Sequence, residues 1–152
     1  MDQSQNVLNA VDEYARLGLR TDIETASPHR LILLLIDGAI DKIRAARLAM
    51  ERNEIATKGT NISWAISIID GLRASLNMEK GGELASNLDR LYEYMVRTLV
   101  EANLNSDRRK LNEVEALLIE GRLAWKAIEA EVEGHGAAPV QNDIGPTELL
   151  VG

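Results

Sequence analysis

The stretch TASPHRLILLLIDGAIDKIRAARLAMER, residues 25–52, decides the fold. Ser27 followed by Pro28 puts a hydroxyl at an N-cap and a proline at the first helical position, where its missing N–H costs nothing. From there Ile32, Ile36, Ala39, Ile43, Ala46 and Met50 recur at alternating spacings of four and three, the period of a helix with one apolar seam. The spacing predicts a helix from Pro28 to about Arg52.

Downstream the same pattern returns three times. A second helix is expected from about Glu54 to Asn77, with Ile55, Ile62, Ala65, Ile69, Leu72 and Leu76 as its seam. Met78-Glu79-Lys80-Gly81-Gly82 reads as a tight connection, after which Leu84, Leu88, Leu91, Met95, Thr98 and Ala102 mark a third. Asn105-Ser106-Asp107 offers a turn and a new cap. The fourth helix carries Leu111, Val114, Leu118, Gly121, Trp125, Ile128 and Val132. Four helices of similar length, each with one narrow stripe and short connections, bury those stripes together as an all-α, antiparallel up-down four-helix bundle. Each buried seam side chain gains roughly 1.5–3 kcal/mol, most of it offset by the chain entropy of ordering the helices.

The ends read differently. Residues 1–26 mix Val7, Leu8, Val11, Tyr14 and Leu17 with polar residues and Gly18, which suggests a short, detachable helical lead-in. After Glu133, Gly134, Gly136, Pro139, Gly145 and Pro146 break any helix, so residues 134–152 are expected to form a flexible tail. The bundle domain is therefore 27–133.

A seam needs only one stripe per helix, so apolar residues off it carry information. At about 100° per residue, Leu31 and Leu34 lie far from the first seam, Trp64 and Ile68 from the second, and Val96 and Val100 from the third, with Tyr92 at its edge. Together they suggest more apolar surface than a monomer exposes, the mark of an interaction groove suited to a long apolar partner. Candidate groove residues are Leu31, Leu35, Trp64, Ile68, Tyr92 and Val96. The lead-in, with Val11, Tyr14 and Leu17 at i, i+3 and i+6, has the spacing to occupy that groove when no partner is present. The same surplus would also serve a self-assembling structural or adaptor protein.

Several functions are disfavoured by inventory. A net charge of −7 opposes nonspecific nucleic-acid binding, and Arg108-Arg109-Lys110 reads as a solvated helix turn. Cys is absent and His occurs twice, as His29 and His135, neither in a Glu-x-x-His pair, so no metal, cofactor or catalytic centre is expected. No phosphate-binding loop or nucleophile motif occurs. The first residues show no export signal and the longest apolar run is Leu31 to Ile36, so neither membrane insertion nor secretion is expected, and a cytoplasmic location is permitted.

Thr25-Ala26-Ser27-Pro28-His29-Arg30-Leu31-Ile32 with Ile36-Asp37-Gly38-Ala39, then Ile68-Ile69-Asp70-Gly71-Leu72, then Leu76-Asn77-Met78-Glu79-Lys80-Gly81-Gly82-Glu83-Leu84, form an ordered set of strings. With Leu91-Tyr92-Glu93-Tyr94-Met95, Glu101-Ala102-Asn103-Leu104 and Leu123-Ala124-Trp125, this set resembles the flagellin-specific export chaperones of the FliS family over roughly residues 10–130. Many members of that family have Tyr where this chain has Ile36, and the tail beyond Glu133 passes the usual end of the domain. The resemblance implies a cytoplasmic chaperone that binds the disordered C-terminal segment of flagellin, blocks premature polymerisation and keeps the subunit fit for type III export. It implies that Tyr14 belongs to a plug displaced by the client. It also implies contacts with the export gate and with regulators of flagellin supply.

Overall fold

A computed structural model describes residues 27–134, with side chains through residue 127. It contains four helices: α1 (Pro28–Glu51), α2 (Ile55–Ala74), α3 (Met78–Asn105) and α4 (Arg108–Gly134). The expected lead-in helix, Tyr14 and the tail lie outside the described residues, as do the side chains of Ile128 and Val132.

Local chemistry sets the boundaries. Ser27 Oγ accepts from the Arg30 N–H at 3.2 Å with Pro28 in the first turn, as expected of the cap. α1 ends where Asn53 enters the left-handed region at φ 56°, and the Glu54 N–H donates to the Ala49 carbonyl at 2.9 Å. The turn between α2 and α3 departs from expectation. Asn77 caps α3 by accepting from the Lys80 N–H at 3.0 Å, so the helix starts at Met78 rather than beyond the glycines. Gly82 then interrupts it at φ 53°, ψ −127°, a conformation that residues with a Cβ rarely adopt.

Neighbouring helices pack in a closed cycle, α1 on α2, α2 on α3, α3 on α4 and α4 back on α1. Polar cross-links give their directions. Between α1 and α4, Asp37 meets Arg122, Glu115 meets both Arg44 and Arg47, and Glu51 meets Arg108, so one helix ascends as the other descends. Arg73–Asp89 and Lys58–Asn103 do the same for α2 and α3, and Tyr94–Glu113 and Glu101–Lys110 for α3 and α4. The bundle is antiparallel and up-down, as its spacing predicts.

One core runs through it, including Ile36, Ile43, Ile69, Met95, Leu99 and Leu118. On α1 the buried arc is far wider than a stripe. From Gly38 on one flank to Leu33 on the other it covers about 220° at 100° per residue. Leu31 and Leu35, two of the candidate groove residues, are both buried within it, and Ile68 on α2 is buried as well. A heptad count registers only the middle of the face, whereas a helix with a neighbour on each side also buries its flanks. Ile55 departs in the opposite sense and is 73% exposed. Lys58 lies closer to the mean seam direction of α2, is buried there, and donates from Nζ to the Asn103 carbonyl at 3.0 Å and to Ser106 Oγ at 2.8 Å. Its ammonium thus satisfies the C-terminal end of α3, where a cation is favoured.

Arg108, Arg109 and Lys110 occupy the first turn of α4, where the helix dipole disfavours cations. Each has an acidic partner, in Glu51, Asp107 and Glu101 respectively.

Candidate functional site

Along α3 the seam residues divide by position. Met95, Thr98, Leu99 and Ala102 are at most 4% exposed, whereas Leu88 and Leu91 are half-buried and Leu84 is 51% exposed. α4, which runs the other way, divides to match. Leu111, Val114 and Leu118 are buried, but Gly121, within about 50° of their mean direction, is exposed. The under-buried parts of the two helices are the N-terminal half of α3 and the C-terminal half of α4, and in an antiparallel pair these face each other. Among the described residues, the bundle is closed at the end that carries the α1–α2 and α3–α4 turns, and open at the other.

The opening is an apolar groove of about 170 Å³. Ile36, Leu72, Met95 and Leu118, all buried core residues, lie at its base. Leu84, Leu88, Leu91 and Tyr92 contribute from α3, and Leu117, Gly121 and Ala124 from α4. Trp125 adds to the lining and is held by its Nε1–H, which donates to the His29 carbonyl at 2.9 Å. Its ring also stacks on the His29 imidazole at 4.7 Å between centroids, joining α4 to the first turn of α1.

No Asp, Glu, Lys, Arg or His side chain is among the described residues that line the groove. Its polar groups are the Ser75 hydroxyl, turned back to donate to the Leu72 carbonyl at 2.7 Å, and the Tyr92 phenol. Burial pushes the Tyr92 phenol up to about 12, so the hydroxyl stays neutral at any physiological pH. Such a lining offers apolar area and almost no directional chemistry, which suits capture of an apolar segment rather than a reaction. Among the described residues no group of His, Asp or Glu could hold a metal, and no helix is long and apolar enough to cross a membrane.

The sequence-derived candidates separate. Tyr92 lines the groove. Leu31, Leu35 and Ile68 belong to the core, and Val96 is half-buried against it. Trp64 lies in a shallower cleft at the closed end with Ile55 and Leu104, which are 73% and 78% exposed. Tyr14 lies outside the described residues. Sequence reasoning placed Leu84, Leu88, Leu91 and Gly121 in the closed seam, because periodicity gives a residue's direction but not whether the facing helix is there to meet it. Gly82, six residues before Leu88, and Gly121 opposite are the signals of that gap.

Comparison with known proteins agrees with a non-catalytic reading. The family model described as flagellar protein FliS matches residues 10–132. Flagellar secretion chaperone FliSB of Pseudomonas aeruginosa is 49% identical over 121 residues, covering 80% of this chain and 96% of its own. Flagellar secretion chaperone FliS of Salmonella typhimurium is 46% identical over 121 residues (79% of this chain, 90% of its own). Its counterpart in Bacillus subtilis is 36% identical over 123 residues (80% and 91%). A four-helix bundle whose apolar seam is left open at one end, matched over most of its length by these proteins, belongs to the FliS family of flagellar proteins.

Proposed function

We propose that this chain is a cytoplasmic export chaperone that holds the disordered C-terminal segment of flagellin in the open end of the bundle, preventing polymerisation before secretion. The observation that carries the reading is the groove itself: on the seam side of α3, Leu84 is exposed and Leu88 and Leu91 are only half-buried, opposite an exposed Gly121 and Ala124 on α4. A flagellin terminus that forms coiled coils in the filament carries apolar stripes that associate when unpaired. A groove made of another bundle's unfilled seam offers such a stripe the surface it would otherwise find on a second flagellin. Tyr14 then acts as part of a removable plug, with the export gate and regulators of flagellin supply meeting other faces of the protein. Leu31, Leu35 and Ile68 support the groove from the core, whereas Trp64 and Val96 touch only a client long enough to wrap beyond it.

Calorimetric titration tests this with full-length flagellin and with flagellin lacking its C-terminal segment. Binding to the first alone, with a negative heat-capacity change, is expected; binding to neither overturns the reading. Leu84→Glu should weaken binding at least tenfold while the helical signal and cooperative melting persist, because Leu84 is already half in water.

The exposed Ile55 and Leu104 favour a second reading, self-association through the closed-end cleft. A mass that rises with concentration, and falls back in Ile55→Glu, would support it.

A further inference from the structure

Gly121 is an anomaly for a helix interior. Glycine is unfavourable there relative to alanine, and neither backbone geometry nor crowding by the described residues demands it: it shows no positive φ, and a Cβ built on it meets none of them within 4 Å. It is exposed, yet it points toward the seam and lines the groove. Ala124, one turn on, is the other small residue of the same wall. On a helix surface, residues at i, i+3, i+4 and i+7 frame the hole that receives a side chain from a facing helix. On α4 that frame is Leu117, Glu120, Gly121 and Ala124, of which Leu117, Gly121 and Ala124 line the groove with Trp125, so the missing side chain at i+4 leaves that hole a notch open to the α4 backbone.

We infer that the notch at Gly121 is a specificity pocket of the groove, seating one bulky aliphatic or aromatic side chain of the flagellin segment directly against the backbone of α4. The inference rests on the reading of the groove as the client site. It explains why a residue that costs the free protein stability occupies this position: among the described residues nothing uses the space, and its use is assigned to the bound state. Substitution there therefore has opposite effects on folding and on binding, which separates the notch from a merely structural role.

The test measures melting and flagellin titration for the full chain and for Gly121→Ala, Gly121→Leu and Ala116→Leu, the last adding bulk to an exposed position of α4 outside the groove. Gly121→Ala should melt about 3–5 °C higher, the shift given by one helix-interior glycine, and bind flagellin a few-fold more weakly. Gly121→Leu should fold and lose at least tenfold in affinity, and Ala116→Leu should bind as the parent does. If Gly121→Leu binds within twofold of the parent, the notch is unused and the inference falls while the function stands. If Gly121→Leu does not fold, Gly121→Ala decides: affinity equal to or above that of the parent overturns the inference. A parent that binds no flagellin at all overturns both.

Discussion

The two ends of this bundle are built from the same seam pattern and do different things. At the closed end Met95, Leu99, Ala102, Leu111 and Val114 are at most 2% exposed, and polar links lock the helices around them. Lys58 ties α2 to the last turn of α3, Lys110 pairs with Glu101, and Glu113 accepts from the Tyr94 hydroxyl. At the open end α3 is held to α2 by Arg73 through Asp89, and α4 to α1 by Asp37–Arg122. Among the described residues, the cross-links between α3 and α4 lie in the closed half. Identical periodicity thus yields a core where the facing helices are fastened together and a groove where each is fastened to someone else.

The largest effect expected of this contrast is on stability. Leu99→Ala leaves a cavity in a fully buried site and should cost about 2–5 kcal/mol. Leu84→Ala removes the same atoms from a residue 51% exposed and should cost under about 1 kcal/mol. Urea unfolding of both variants checks the difference. Equal losses would mean that the groove is as well packed as the core, and the distinction between the ends would collapse.

A smaller effect is expected at Lys58, which fills a seam position with a charge. Lys58→Met keeps the length of the side chain but leaves the Asn103 carbonyl and the Ser106 hydroxyl without their donor, at the end of α3 where the dipole favours a cation. A loss of about 1–2 kcal/mol is expected. Hydrogen exchange should show it at the α3–α4 turn, with the groove unaffected. Faster exchange at Leu84 and Leu88 instead would mean that the two ends open together.

Lys58 also illustrates where sequence reading stops. The helix count and the up-down topology followed from apolar spacing, the cap at Ser27 and the turn residues, because each is a local property of the chain. Seam membership is not local. Ile55 has the right spacing but points off the end of the bundle, while Lys58 has the wrong chemistry for a seam and fits because its ammonium reaches the carbonyl end of α3. Leu31 is too far round α1 for a stripe, yet it lies on a flank of the buried arc. The groove was least legible of all, since Leu84, Leu88 and Gly121 satisfy the periodicity and, among the described residues, are left under-covered where α3 and α4 share no polar cross-link. Tyr92, chosen because it sat at the edge of the stripe, is the candidate that the opening reaches.

The smallest effect probes the fastening itself. Glu115 accepts from Arg44 at 2.9 Å and from Arg47 at 3.0 Å, near the middle of the α1–α4 seam. Burial alone would raise its carboxyl, but the hydrogen bonds from Arg47 and Arg44 outweigh this and hold it below its ordinary value. A carboxyl lowered in the folded state contributes stability that is present above its unfolded pKa and is lost as pH falls through the folded one. Glu115→Gln should therefore be less stable than the parent by no more than about 1 kcal/mol at pH 7. That difference should begin to shrink as pH drops below about 4.5 and vanish once both forms of the carboxyl are protonated. Flagellin affinity at pH 7 should stay within twofold, because Trp125 on His29 and the Asp37–Arg122 pair still hold the outer half of α4 against α1. If affinity falls tenfold with so small a loss of stability, the groove wall is positioned by the ion pairs along α1, and the open end depends on charges in the middle of the bundle rather than on its own packing.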